Sequence, residues 1–308
     1  MISGAAALAA CRRETIVGAA SSSSSARAPI ASSSASRDPT QLPGRAGSAL
    51  RIVEWDFPTD GAFEKRAVVL IPDPLPPGAK LPLLVALHGM GETIDPVTGS
   101  NGWLKSYEID DADAALRAPP LSADDFRGLV TDERLATLNA SLVAKPFQGL
   151  VIACPYLPKM IGLDVPFESY GEFLAKTLVP RLRAEMPVSK SVRSTGIDGV
   201  SLGGISALRI GLSRADVFGA VGGLQPAIWD YQIDELAEAC QKQIGKRPLR
   251  ITTSVGDIYH DALIALDQRL TARGVAHDFF VAEGPHDYIW NKGPGAIEML
   301  LWQDRALR

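Results

Sequence analysis

The chain has 308 residues, 31 Lys and Arg against 35 Asp and Glu, a formal net charge of −4 and 46% apolar residues. That length suits one large α/β domain with a sizeable core, and the slight acidic balance gives no electrostatic reason to expect nucleic acid as a partner. No apolar run of about 18 residues and no heptad array is present, so neither a membrane span nor a coiled coil is predicted.

Residues 1–48 are rich in Ala and Ser, include the run Ser21 to Ser25 and lack aromatics. Such a segment buries too little apolar surface to offset its ordering entropy, which predicts a disordered linker. At its start, Leu8-Ala9-Ala10-Cys11 follows a short run of small apolar residues. It resembles the lipobox of bacterial lipoproteins, whose cysteine is lipidated. The resemblance implies export, with membrane anchoring through a lipidated Cys11. The departure is that no Lys or Arg precedes the apolar run, as a signal n-region requires. A cytoplasmic tail is the alternative.

From Ala49 the chain alternates strand and helix patterns up to residue 308. Leu50 to Phe57 and Lys65 to Ile71 read as a hairpin around Pro58-Thr59-Asp60-Gly61. Pro82 to Leu87 is wholly apolar, the pattern of a buried parallel strand, and it ends at His88-Gly89-Met90-Gly91. Glu92 to Phe147 is long for a strand–helix connection. It reads as a cap-like insertion of helical pieces over the sheet edge, either shaping a pocket or serving as structural decoration. Gly149 to Pro155 is a further buried strand, and Tyr170 to Glu185 has helical periodicity. Strands are then predicted at Val192–Val200, Phe218–Leu224, Leu249–Val255 and His277–Ala282. Helices follow Ser201 and span Tyr231–Ile244, Asp261–Arg273 and Gly295–Leu307. The alternation predicts an α/β fold: a doubly wound, mostly parallel sheet with right-handed crossovers and a helical insertion after the third strand.

The chemistry is carried by Gly199-Val200-Ser201-Leu202-Gly203. A serine in G-x-S-x-G between strand and helix fits a nucleophile elbow, a turn too tight for side chains at the flanking glycines. A serine hydroxyl needs a base, and histidine titrates in the useful range. Of the four histidines, His88 reads as a structural residue beside a glycine turn. His260 reads as solvated at a helix start, and His277 as a surface residue. His286 follows the final strand in Gly284-Pro285-His286-Asp287. In open α/β sheets the carboxyl ends of the strands host the chemistry, so His286 is the candidate base. Asp257, at the end of the preceding strand, is the candidate acid that orients the imidazole. The order Ser…Asp…His is the one described for α/β-hydrolases. Asp261 and Asp287 are its competitors. The oxyanion requires two fixed N–H donors, assigned to Leu202 at the helix start and Met90 in the glycine turn.

These motifs together resemble the α/β-hydrolase superfamily. Within it they look most like the esterase group that includes esterase D, feruloyl and acetylxylan esterases and the mycolyltransferases. The G-x-S-x-G-G nucleophile and the late His286-Asp287-Tyr288-Ile289-Trp290 segment carry the likeness, over roughly residues 50 to 305. It implies a serine carboxylic-ester hydrolase with a Ser201–His286–Asp257 triad, acting on a small-molecule ester. The alternatives are an acyltransferase or serine peptidase on the same fold, or an inactive envelope lipoprotein. No cofactor or metal is implied. Cys11, Cys154 and Cys240 lack metal-site spacing, and the last two read as packing residues. Trp103, Tyr107, Trp229 and Trp290 could line an aromatic-friendly pocket or simply pack.

Overall fold

Eight strands form one twisted sheet in the order β1-β2-β4-β3-β5-β6-β7-β8. They are β1 (Leu50–Phe57), β2 (Lys65–Pro72), β3 (Leu83–Leu87), β4 (Val151–Pro155), β5 (Thr195–Gly199), β6 (Ala220–Leu224), β7 (Leu249–Gly256) and β8 (Asp278–Pro285). β1 and β2 pair antiparallel, β2 pairs antiparallel with β4, and every pairing from β4 to β8 is parallel. This computed structural model describes residues 50–59, 63–160, 165–243 and 247–308. The lipobox-like segment with Cys11, the Ala/Ser-rich linker and the turn residues Asp60 and Gly61 lie outside them. No helix among the described residues is long and apolar enough to cross a membrane.

Every residue of β3, β4, β5 and β6 is buried, as expected for central parallel strands covered on both faces. Successive side chains alternate between two cores. Val69, Leu83, Val85, Ala153 and Ile197 face one layer. It contains α4 (Phe167–Phe173), α5 (Val179–Glu185), α6 (Leu202–Ser213), α7 (Ile233–Gln241) and α8 (His260–Ala272). Val68, Leu70, Leu84, Ala86 and Ile152 face the other. The short α1 (Pro96–Ser100) follows the turn after β3, while α2 (Ile109–Arg117), α3 (Asp132–Ala144), the one-turn α9 (Tyr288–Trp290) and α10 (Ala296–Ala306) lie in that layer.

The second layer corrects the expectation for the insertion. It is a wall of the domain core, with Trp103, Tyr107, Ile109, Phe126 and Leu142 buried among β2, β3, β4 and α10. One predicted helix is interrupted, and the last helix, expected from Gly295, is preceded by a similar turn. Tyr170–Glu185 divides at a π-helical turn, Leu174–Leu178, next to Pro180. The last helix begins after another, Asn291–Gly295, that contains Pro294. Proline lacks the N–H that the α-helical ladder needs. β5 starts at Thr195 rather than Val192 because Ser191 caps a 3₁₀ turn, its hydroxyl accepting the Arg193 N–H at 3.2 Å.

β5 is also tied across the sheet. Asp198 accepts from Arg250 of β7 at 2.8 Å and from Gln303 of α10 at 2.9 Å. The reach over β6 is possible because Gly222 lies beneath it; a Cβ there would sit 2.0 Å from Asp198 Oδ2. Burial pushes the Asp198 carboxyl up, while Arg250 and Gln303 oppose the shift. The strand that delivers Ser201 is thus fixed by polar bonds as well as by packing.

Candidate active site

Ser201 sits between β5 and α6 with φ 57° and ψ −116°. A positive φ at a non-glycine residue costs about 1–3 kcal/mol and persists only where the surroundings enforce it. Here the Ser201 N–H donates to Leu224 O at 2.9 Å, and its carbonyl accepts from Ala227 at 3.0 Å and Ile205 at 3.1 Å. The two motif glycines make the turn possible. A Cβ on Gly199 would meet the Gly203 backbone at 2.6 Å, and one on Gly203 would meet Leu87 O at 2.3 Å. The elbow therefore packs backbone to backbone against the end of β3.

Asp257 and His286 leave adjacent strands, β7 and β8, at the same edge as Ser201. His286 Nδ1 lies 2.8 Å from Asp257 Oδ1. The Asp257 side chain is fully buried, whereas that of His286 is 18% exposed. Asp257 is held on both oxygens: the Tyr259 N–H donates to Oδ1 at 3.0 Å and the Thr253 hydroxyl to Oδ2 at 2.8 Å. An acid fixed in this way holds the proton on Nδ1 and leaves Nε2 with its lone pair. The Tyr259 ring stands edge-on to the imidazole at 5.5 Å. Behind the histidine loop, Gln225 donates to Pro285 O at 3.1 Å and to the Ser254 hydroxyl at 2.7 Å.

Met90 opens a 3₁₀ turn, Met90–Glu92, and Leu202 opens α6. N–H groups in a first turn have no partner within their own helix. Gly89 lies beside the serine, since a Cβ on it would be 3.8 Å from Ser201 Cβ. His88 controls the peptide that carries the Met90 N–H. Its Nδ1 is 2.8 Å from Gly89 O, and its Nε2 accepts the Leu157 N–H at 2.9 Å. Because Nε2 accepts, the proton is on Nδ1. In a trans peptide the carbonyl and the following N–H point in opposite directions, so the Met90 N–H is aimed away from His88. His88 is wholly buried, and that burial lowers its pKa to about 4.

The remaining assignments separate clearly. Asp261 is fully exposed and pairs with its neighbour His260 at 3.1 Å. Asp287 caps α9, accepting the Trp290 N–H at 2.9 Å. His277 departs from the surface role expected of it: its side chain is 5% exposed and held between Val275 O and Asp267. Trp103 and Trp290 are buried packing residues, as are Cys154 and Cys240, whereas Trp229 is 53% exposed at the mouth. Sequence reading passed over Glu92, Thr253 and Gln225. The signal for Glu92 was its place one residue beyond the glycine turn, at a strand end that was already suspect.

The "Putative esterase" family model matches residues 165–288, the stretch that holds Ser201, Asp257 and His286. Among solved structures, a ferulic acid esterase superposes with a TM-score of 0.62 at 17% identity, covering 83% of this chain and 99% of its own. The feruloyl esterase module from Clostridium thermocellum gives 0.60 at 13% identity, covering 88% and 93%. An S-formylglutathione hydrolase from Staphylococcus aureus gives 0.57 at 13%, covering 85% and 100%. At such identities the shared property is the fold, and the expected α/β-hydrolase architecture is borne out.

His88 generates a pH prediction. Its folded pKa of about 4 lies below the ordinary value of 6.5, so the unfolded chain takes up the proton first. Its contribution to stability is complete above pH ~6.5 and is lost as pH falls through ~4, a change on the order of 3 kcal/mol. Urea midpoints measured from pH 7 to 4 should fall, and His88→Gln should flatten that part of the curve. An unchanged slope in the variant would contradict the assignment.

Proposed function

The chain being an esterase of the α/β-hydrolase fold, we propose that it hydrolyses carboxylic esters through an acyl-enzyme on Ser201. The observation that carries this reading is the buried, doubly held Asp257 bonded to His286 Nδ1 at 2.8 Å, at the strand edge that bears the strained serine turn. Ser201 Oγ attacks the ester carbonyl, and its proton passes to His286 Nε2. The charge that develops on the carbonyl oxygen meets the N–H groups of Leu202 and Met90. Asp257 stabilises the imidazolium without taking its proton. As the C–O bond breaks, His286 returns the proton to the leaving alcohol. Water then attacks the acyl group with His286 as base, releasing the acid and restoring the serine.

The mouth suggests the character of the ester. Large apolar side chains stand exposed around it, among them Met90, Ile94, Trp229, Ile258, Tyr288 and Ile289. The segments 88–97, 225–232, 255–261 and 284–291 contain no Lys or Arg but do contain Asp95, Asp230, Asp261 and Asp287. Lys159 lies outside these segments, in the one that follows β4. An acidic, apolar rim favours uncharged esters over those bearing a carboxylate.

Ser201→Ala should abolish turnover of p-nitrophenyl acetate, and undiminished activity in a clean preparation would refute the reading. For the parent enzyme, kcat/KM for p-nitrophenyl butyrate should exceed that for the p-nitrophenyl hemiester of succinate by about tenfold at low salt, and the ratio should shrink as salt is added. Equal values at low salt would remove the charge argument while leaving the esterase reading intact.

A further inference from the structure

A buried polar cluster lies directly behind the oxyanion turn. Glu92 is 2% exposed and Tyr107 is 1% exposed. The Tyr107 hydroxyl donates to Glu92 Oε2 in a short hydrogen bond and accepts the Gly89 N–H at 2.9 Å. Tyr288, two residues beyond His286, lies near enough to the same carboxyl group for Glu92 to help raise its pKa. Its oxygen also fills the space beside Gly91, where a Cβ would come within 2.3 Å of it. The two phenol rings lie against each other with centroids 5.9 Å apart. Three segments therefore meet here: the turn after β3, the insertion and the loop that carries His286.

Burying a carboxyl group is unfavourable unless its hydrogen bonds are made, and an apolar side chain would fill the same space without that requirement. The cluster acts on Gly89, on both peptides that flank its Cα. His88 holds the Gly89 carbonyl from one side, and Tyr107 holds the Gly89 N–H. With both polar groups of Gly89 fixed, the following N–H, that of Met90, has a set direction. Burial and the nearby Glu92 keep the Tyr107 phenol well above its ordinary pKa, and Tyr288 is pushed up to about 12. Both phenols hold their protons at neutral pH, so Tyr107 has its hydrogen to give Glu92. Tyr107 still has a lone pair for Gly89.

We propose that Glu92 and Tyr107 are positioning residues that set the oxyanion turn, with Tyr288 coupling that turn to the His286 loop. The proposal rests on the esterase reading above. It assigns to the insertion a catalytic purpose beyond covering the sheet, since Tyr107 belongs to the insertion and is packed edge-on against Trp103 at 4.9 Å.

The test is Tyr107→Phe, which keeps the ring and removes both hydrogen bonds. Active sites are counted with a fluorophosphonate probe, and kcat is expressed per labelled site on p-nitrophenyl acetate. A misdirected oxyanion donor should lower kcat by about 10- to 100-fold, with KM within about twofold because ground-state binding is untouched. Affinity for a boronic acid, which mimics the tetrahedral adduct, should fall in the same proportion. Glu92→Gln, which can still accept from Tyr107, should lose less kcat than Glu92→Ala. Should Tyr107→Phe not fold, Glu92→Gln decides, with a several-fold loss of kcat at constant KM expected. A kcat per labelled site equal to the parent's, or a loss seen only in the labelled fraction or the melting temperature, overturns the proposal and leaves the esterase reading standing. A parent enzyme that is neither labelled nor active overturns both.

Discussion

Ser201 is held at φ 57° in a turn built from backbone against backbone, and the rest of the site is arranged around that constraint. Gly199 and Gly203 carry no side chain because Leu87 O and the Gly203 backbone already occupy that space. The turn brings the end of β5 against the end of β3, so the serine and the Gly89–Met90 peptide become neighbours. Its strain is sustained by hydrogen bonds from Ser201 to Leu224 and from Ala227 to Ser201. It is sustained as well by β5 itself, which Asp198 ties to Arg250 and Gln303. A turn less firmly braced would relax toward ordinary backbone angles and withdraw the hydroxyl from the edge.

The polar groups around the serine divide into two sets that meet at the strand ends. One set runs from Thr253 and Tyr259 through Asp257 to His286, the base in the proposed reaction. The other runs from Leu157 through His88 to Gly89, and from Glu92 through Tyr107 to the same residue, next to the N–H proposed as an oxyanion donor. Tyr288 touches both, since it follows His286 closely in sequence, sets its hydroxyl beside Gly91 and lays its ring against Tyr107. The protonation states agree with this division. Burial holds His88 neutral and both phenols protonated near pH 7. The second set therefore keeps its hydrogen-bond directions near neutral pH.

Much of this was legible in the sequence where local chemistry is strict. Apolar runs announced the buried strands, and G-x-S-x-G announced a turn that tolerates no side chains. Asp257 and His286 could be found because each follows a strand pattern directly. What escaped depends on contacts distant in sequence. The insertion read as helical pieces over an edge, but its apolar residues face the sheet and α10, a fact that periodicity does not encode. Tyr107 read as pocket lining or packing because its partners are Gly89, 18 residues away, and Glu92. His277 read as a surface residue because nothing local signals that Asp267 lies 2.9 Å from its ring. The π-helical turn at Leu174–Leu178 was foreshadowed by Pro180, although periodicity alone ran through it, and the one at Asn291–Gly295 fell just ahead of the helix expected from Gly295.

The central claim is that Ser201 is a nucleophile activated by the Asp257–His286 pair. The most direct measurement is the rate and site of fluorophosphonate modification, mapped by peptide mass spectrometry in the parent and in His286→Ala. The account predicts a single adduct, on Ser201, whose formation slows by at least about a hundredfold in the variant because the base is gone. An adduct on another residue, or a Ser201 adduct that forms equally fast without His286, would contradict it.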